Sequence, residues 1–396
     1  MKIIVQKFGG TSVSTHEKRL LVIDKVMQAK SLGYSPVVVV SAMGRKGEPY
    51  ATDTLLSLID SDFKINNPLG TDLLMSCGEV ISTVVMSYEF NKKNIFSVPL
   101  TGGQAGIITD EKHGNAEVQE TNIENIINVL QEGKIPIIAG FQGKTRDGYV
   151  TTLGRGASDF TAAILGVALK AEKIEIYKDV DGIMTADPRV VSDAALIKEI
   201  SYNEVFQFAD QGAKVIHPRA VDVAMKGNIP LVIKNTLNDS EGTVINVFGN
   251  SNSNNIITGI TSMDNRIQVR VKFNEEKDYN NIFDILSNNS ISIDLINIFP
   301  KETVFTINEE DMGKFNSLME KLHLSYSSIE NCSKISIIGS RMRGIPGVMA
   351  RILKVLTKEN IEVLQTADSH TTIWCLVESK NCKNAINALH KEFKLG

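Results

Sequence analysis

Cysteine is scarce and scattered. The four present, Cys77, Cys332, Cys375 and Cys382, form no CxxC pair, which argues against a disulfide framework and for reduced, cytosolic thiols. The six histidines are dispersed, with no HExxH and no Cys/His cluster, so no protein-built zinc centre is expected. His217, just before Pro218, reads as a packing residue. Basic charge is not in excess: 42 Lys and Arg stand against 46 Asp and Glu, a net charge of −4. That leaves no positive field for nucleic acid or an anionic membrane. No apolar stretch approaches the ~20 residues that cross a bilayer. Gln6 and Lys7 interrupt the first apolar run before it can form a signal-peptide core. The expected partners are small molecules and further copies of the chain, and the expected compartment is the cytoplasm.

What is present is apolar residue, 42% of 396 positions, enough for two or three domains of about 100–200 residues each. Up to residue 245 strands and helices alternate. The strands are expected at Lys2–Phe8, Pro36–Ala42, Phe96–Leu100, Pro136–Phe141, Ile174–Asp179 and Pro230–Asn235. Runs such as Val37-Val38-Val39-Val40 are those of parallel strands buried on both faces. Helical patterns lie between them, one with Leu20, Ile23 and Met27 on a single face and a long one from Asp72 to Phe90. The pattern predicts a three-layer α/β/α domain with an open, mainly parallel sheet. The Asn-, Ser- and Gly-rich segment Asn246–Asn255 reads as a linker. Beyond it a repeat runs at a constant offset of 70: Ile282–Leu286 matches Ile352–Leu356, Ile291–Ile293 matches Ile361–Val363, and Val304-Phe305 matches Trp374-Cys375. Each copy reads as helix, strand, strand. Two such units after an enzyme-like domain suggest a sensor, or else a duplicated dimerisation unit without a ligand.

The first strand ends Lys7-Phe8-Gly9-Gly10-Thr11-Ser12. Glycines let backbone N–H groups approach a phosphate, and a lysine beside them supplies charge; an ordinary strand–turn–helix start is the alternative. Gly154-Arg155-Gly156-Ala157-Ser158-Asp159 opens a second helix, Phe160–Ala171, with Ser158 as the expected N-cap. Arg155 offers a bidentate fork for a carboxylate, and Asp159 lies where it could simply favour the helix dipole. Lys178-Asp179 leaves the strand Ile174–Asp179 at its C-terminal end, the edge where ligands bind in open α/β sheets. Asp179 suits a ribose hydroxyl and Arg189 a phosphate, although Asp-Gly and Asp-Pro pairs also make plain surface turns. Glu79, in Cys77-Gly78-Glu79, could meet a substrate ammonium or sit solvated on its helix. Lys214 could add charge near phosphates or lie on the surface. Gly140–Thr145 imitates the end of a P-loop. Ile138 replaces the glycine that motif requires, however, and Lys144–Thr152 reads as a hairpin rather than a helix.

Together KFGGTSV at Lys7–Val13, SCGE at Ser76–Glu79, GRGASD at Gly154–Asp159, DVDGIMTADPRVV at Asp179–Val191 and GAKVIHPRA at Gly212–Ala220 resemble the aspartate kinases. These belong to the amino-acid kinase family and carry tandem ACT domains behind the catalytic one; the length resembles the monofunctional form. The resemblance implies an amino-acid kinase domain over residues 1–245 and a first ferredoxin-like ACT domain over 256–330, completed by a returning C-terminal strand. It implies a second ACT domain over 331–396. The implied reaction passes the γ-phosphoryl group of ATP to the β-carboxylate of L-aspartate, with Mg²⁺ carried by the nucleotide. This is the first step toward lysine or diaminopimelate, threonine and methionine. Glutamate or acetylglutamate kinases share the fold but lack the tandem repeat. A non-catalytic ACT sensor is the alternative of another class, against which Lys7, Arg155 and Asp159 are all retained.

By the same resemblance Lys7 stabilises the transferring phosphoryl group and Asp159 orients Lys7 or the metal. Thr52, Glu79, Arg155, Gly156, Ala157 and Ser158 hold aspartate. Lys7, Phe8, Gly9, Gly10, Ser41, Lys178, Asp179, Met184, Arg189 and Lys214 hold ATP. Ser292, Ile293 and Asp294 are the implied effector segment of a homodimer inhibited by lysine, diaminopimelate or threonine. Gln365–Thr372 departs from the sequence usual in lysine-sensitive enzymes, which favours diaminopimelate among the three. The chain also departs at Ala157 (usually glycine), Lys178 (usually threonine) and Met184 (often aromatic).

Overall fold

The computed structural model describes the chain except residues 211–215, 251–254, 274–277 and 343–344. It divides into two units. The first holds Met1–Ile183 and most of residues 196–252; the second holds Met184–Ala195, residues 210–213 and the chain beyond 252.

In the first unit an eight-stranded sheet runs in the order Ser97–Leu100, Ile135–Ala139, Ser35–Val40, Ile3–Phe8, Lys173–Lys178, Leu231–Asn235, Thr243–Asn246, Glu199–Ser201. All neighbours are parallel except Leu231–Asn235 with Thr243–Asn246. The six expected strands are present within a residue or two at each end; five are buried on both faces, as their apolar runs predict, while the edge strand Ser97–Leu100 is not. Helices His16–Ser31 and Pro68–Lys92 cover one face through Val22, Val26, Met86 and Phe90, packed on Phe8, Val38, Val40 and Tyr177. Helix Ser158–Ala168 covers the other face of the central strands. Gln142–Lys144 and Val150–Thr152 form the expected hairpin in a second, four-stranded sheet, turned by Gly148 at φ +93°.

Pro68–Lys92 is long and apolar enough, by length and composition alone, to cross a membrane, contrary to the expectation that no stretch approaches this. Its buried carboxylates tie it into the α/β unit instead. Asp72 accepts from Gly114 N, Thr152 N and the Thr152 hydroxyl at 2.6–3.0 Å, and Glu89 pairs with Arg19 at 3.2 Å.

The second unit is a six-stranded antiparallel sheet in the order Ile293–Phe299, Glu302–Asn308, Gly259–Lys272, Ser325–Ile338, Thr372–Glu378, Gln365–Asp368. Its two long strands are irregular around Met263–Gln268, and each half feeds a separate core. One core joins Val269 and Val271 to Ile282, Leu286, Phe305 and Phe315. The other joins Ile260, Ile335 and Ile337 to Ile352, Leu356, Cys375 and Leu389. The residues related by 70 positions thus occupy equivalent core places. The resemblance implied a C-terminal strand returning to the earlier unit. The chain instead ends on helix Ser379–Glu392, and the strand that closes the later half is Gly259–Met263, paired with Lys334–Ile338. The helix is buried through Cys382, Ala385, Ile386 and Leu389, so its amphipathic spacing outweighs strand formation there.

Candidate active site

Lys7 lies in the central strand, and the register sets it opposite Ile176 of Lys173–Lys178. Side chains two apart share a face, so Lys178 follows on the same side as Lys7. Helix Ser158–Ala168 brings Asp159 to that face in its first turn. The Asp159 carboxylate bridges two ammonium groups: Lys7 Nζ is 2.8 Å from Oδ1 and Lys178 Nζ 2.9 Å from Oδ2. Burial alone would raise the Asp159 pKa, but the two cations outweigh it and hold the carboxyl well below the usual range. Burial draws Lys7 down, offset only in part by Asp159. Ser158, expected as the N-cap, is the first helical residue; Ala157 caps without a side-chain bond. Ala157 has φ −73°, so replacing the usual glycine costs nothing in backbone strain.

The glycine turn is tight. A Cβ on Gly10 would lie 2.4 Å from the Ala42 carbonyl oxygen and 3.0 Å from that of Gly44, so no other residue fits undistorted. Gly9 N–H is taken by the Tyr177 carbonyl at 3.2 Å, which removes it from phosphate binding in this arrangement. Phe8 is a core residue, its ring stacked on Tyr177 at 4.7 Å.

A cavity of about 260 Å³ opens at the C-terminal ends of the strands, lined by Gly10, Ser41, Thr52, Glu79, Arg155, Gly156 and Ser158 among others. Ser41, expected on the nucleotide side, is in this wall. Glu79 is 3% exposed: Oε1 accepts from Ala42 N at 3.1 Å, and Oε2 has no partner among the described residues. Burial pushes its carboxyl up to about 8, against the pull of Lys7. A buried, half-satisfied carboxylate facing a cavity suits a ligand that brings a cation. Arg155 is exposed on the rim and paired with Asp53 at 3.0 Å.

A second cavity, about 330 Å³, is lined by Thr11, Ser12, Ser14, Lys18, Gly44, Arg45, Glu48, Lys178, Asp179, Thr236 and Leu237. Asp179 accepts from Arg45 Nη2 at 2.7 Å. Met184 and Arg189 belong to the second unit, where Arg189 is exposed and paired with Asp187 at 2.7 Å. Lys214 lies outside the described residues. His217 caps helix Pro218–Gly227, its Nδ1 accepting from Arg219 N at 3.2 Å.

The amino acid kinase family model matches residues 2–235, and an ACT domain model matches 327–391. Aspartokinase 1 of Bacillus subtilis (strain 168) is 42% identical over 402 residues, spanning the whole of both chains. An aspartokinase of Helicobacter pylori (strain ATCC 700392 / 26695) is 35% identical over 412 residues, 99% of each. The solved structure of E. coli aspartokinase III in complex with aspartate and ADP matches with a TM-score of 0.79 at 25% identity, over 99% of both chains.

The chain belongs to the aspartokinase family.

The aspartokinase reaction, ATP:aspartate phosphotransfer, is therefore its activity. The implied effector residues Ser292, Ile293 and Asp294 stand at the start of strand Ile293–Phe299. The Asp294 carboxylate is held by the Lys334 ammonium and by Leu295 N at 2.8 Å. Leu295 itself sits at φ +49°. Sequence reasoning missed Arg45, Lys46, Asp53 and Phe141 in the cavity walls. The signal for the first two was available: Ser41–Gly47 leaves strand Ser35–Val40 at its C-terminal end, the edge where open α/β sheets bind ligands. Phe141 gave none, because its φ of +70° cannot be read from residue type.

Proposed function

We propose that the Lys7–Asp159–Lys178 cluster is the electrostatic centre of phosphoryl transfer, with aspartate in the Glu79 cavity and the nucleotide in the Asp179 cavity. The β-carboxylate of aspartate, with an ordinary pKa of about 3.9, is ionised at neutral pH and needs no general base. Catalysis then consists of aligning two anions and neutralising charge on the group passing between them. Asp159 holds the lysines rather than abstracting a proton; a carboxyl kept so far below the usual range is a poor base. Two ammonium groups and one carboxylate leave one net positive charge for the phosphoryl oxygens.

Glu79 receives the substrate ammonium and Arg155 the α-carboxylate, exchanging Asp53 for it. Thr52, Gly156, Ala157 and Ser158 complete the aspartate side. Asp179 holds the ribose. Asp159 and Asp179, the carboxylates nearest the nucleotide side, are engaged by cations. Mg²⁺ is expected on the nucleotide phosphates, which commonly supply its ligands, and no step is routed through it.

The observation that carries this reading is the single buried carboxylate bridging Lys7 and Lys178 at the strand ends. It is tested by trapping the acyl phosphate with hydroxylamine. Aspartyl hydroxamate should form with the native chain and not with Lys7→Met, whose fold should survive. Equal yields from both would remove the role given to Lys7.

The second unit is read as two ACT domains, expected over 256–330 and 331–396 but with strand Gly259–Met263 given to the later one, that bind an inhibitory amino acid at Ser292–Asp294 in a homodimer. The ACT match over 327–391 supports the type of domain. Inhibition requires the effector to favour an inactive arrangement over the active one. Initial rates with lysine, diaminopimelate and threonine added singly discriminate among the candidates, and no response to any would count against the sensor reading. The enzyme is read as cytoplasmic, serving the lysine, threonine and methionine branches.

A further inference from the structure

We infer that Arg45 is a catalytic residue that stabilises the phosphoryl group as it crosses between the two cavities; this rests on reading them as aspartate and nucleotide sides. Among the described residues Gly44 and Arg45 alone line both cavities. Every other cationic side chain in those walls faces one cavity alone: Lys18 and Lys178 the nucleotide side, Lys46 and Arg155 the aspartate side. Lys7 is in neither wall, its ammonium buried against Asp159.

Arg45 is placed by a turn in which Gly44 adopts φ +84° and donates its N–H to the Gly10 carbonyl at 3.1 Å. The junction is therefore tied to the same tight turn that follows Lys7. The Arg45 guanidinium now rests on the Asp179 carboxylate at 2.7 Å, with side-chain exposures of 71% and 48%. An ion pair this exposed is held weakly, so an arriving phosphate can displace it. The guanidinium fork binds a carboxylate and a phosphoryl group by the same geometry, so the arriving phosphoryl group takes the fork that Asp179 gives up on turning to the ribose.

In the transfer an oxygen of the aspartate β-carboxylate forms a bond to the γ-phosphorus as the bond to the β,γ-bridging oxygen breaks. The bond's electron pair leaves with ADP, and no proton moves. Arg45 forms no bond. It faces both the entering and the leaving oxygens, where charge is shared at the midpoint.

The test is steady-state kinetics of the full chain with MgATP and aspartate, with product trapped as the hydroxamate. Arg45→Ala should lower kcat by about 10²-fold, with either KM changed by no more than about threefold. Arg45→Lys should recover part of the loss, as should guanidinium ion added to Arg45→Ala. A kcat within about threefold of the native value, or a raised KM at unchanged kcat, overturns the inference. Lys7→Met measured alongside separates the two readings. An active Arg45→Ala with an inactive Lys7→Met overturns the Arg45 role alone; activity in both overturns the cavity assignment with it. Arg45 is exposed, so an unchanged thermal melt is expected of its variants.

Discussion

Lys7 Nζ stands 2.8 Å from Asp159 Oδ1, and both residues are almost wholly buried. Asp159→Asn would leave the Lys7 and Lys178 ammonium groups facing a neutral amide. Breaking a buried charge network from one side costs about 3 kcal/mol or more, and turnover should fall with it. The Asp159 pKa is depressed on folding, so its stabilisation is present above the ordinary carboxylate range and is lost only as pH falls through the lower folded value. Urea titrations should show a constant deficit for Asp159→Asn between neutral pH and mild acid. A deficit that vanished at neutral pH would contradict the assignment.

Glu79 has the opposite sign. Burial raises its carboxyl to about 8, so the folded chain holds a proton that the unfolded chain has released at neutral pH. Stability from this group is lost as pH rises from the ordinary carboxylate range through about 8. Glu79→Gln should therefore melt several degrees above the native chain in alkaline buffer and close to it in mild acid. Substrate binding runs the other way, because the ionised form receives the ammonium. KM for aspartate should fall between neutral pH and pH of about 8 in the native chain, and Glu79→Gln should flatten that trend. A pH-independent native KM would contradict it.

Arg155→Ala should raise KM for aspartate by about tenfold or more, as a charge-assisted fork to the α-carboxylate is lost, with little change in KM for ATP. Arg155 is exposed and its partner Asp53 partly so, and the melting temperature should hardly move. An unchanged KM would assign the carboxylate to another cation.

Gly10→Ala meets backbone on two sides, the Ala42 and Gly44 carbonyl oxygens. Backbone cannot swing aside as a side chain can, so a loss of about 1–3 kcal/mol in stability is expected, together with misplacement of the Lys7 and Arg45 segments. Denaturant unfolding paired with activity checks this; a variant of native stability and turnover would show that the turn has slack.

The catalytic fold was legible because its evidence is local. Val37–Val40 and Ile3–Val5 announce doubly buried strands, and the repeat pairs Ile282 with Ile352 and Leu286 with Leu356 in matching cores. The meeting of Lys7 with Asp159, 152 positions apart in sequence, was implied by family resemblance, since spacing alone cannot show which distant helix covers a strand. The place of Arg45 was legible, in a loop that leaves strand Ser35–Val40 at its C-terminal end; its position between two cavities was not, because that depends on distant elements. The closing strand Gly259–Met263 was illegible for a similar reason: one long strand serves two cores, and only the pairing register reveals the change of partner.

The most direct measurement is a structure of the complex with aspartate, Mg²⁺ and a non-hydrolysable ATP analogue. The Lys7 ammonium should lie within about 3 Å of a γ-phosphoryl oxygen while still touching Asp159. A γ-phosphoryl group bound far from Lys7, with the Lys7–Asp159 pair unaltered, would contradict the account at its centre.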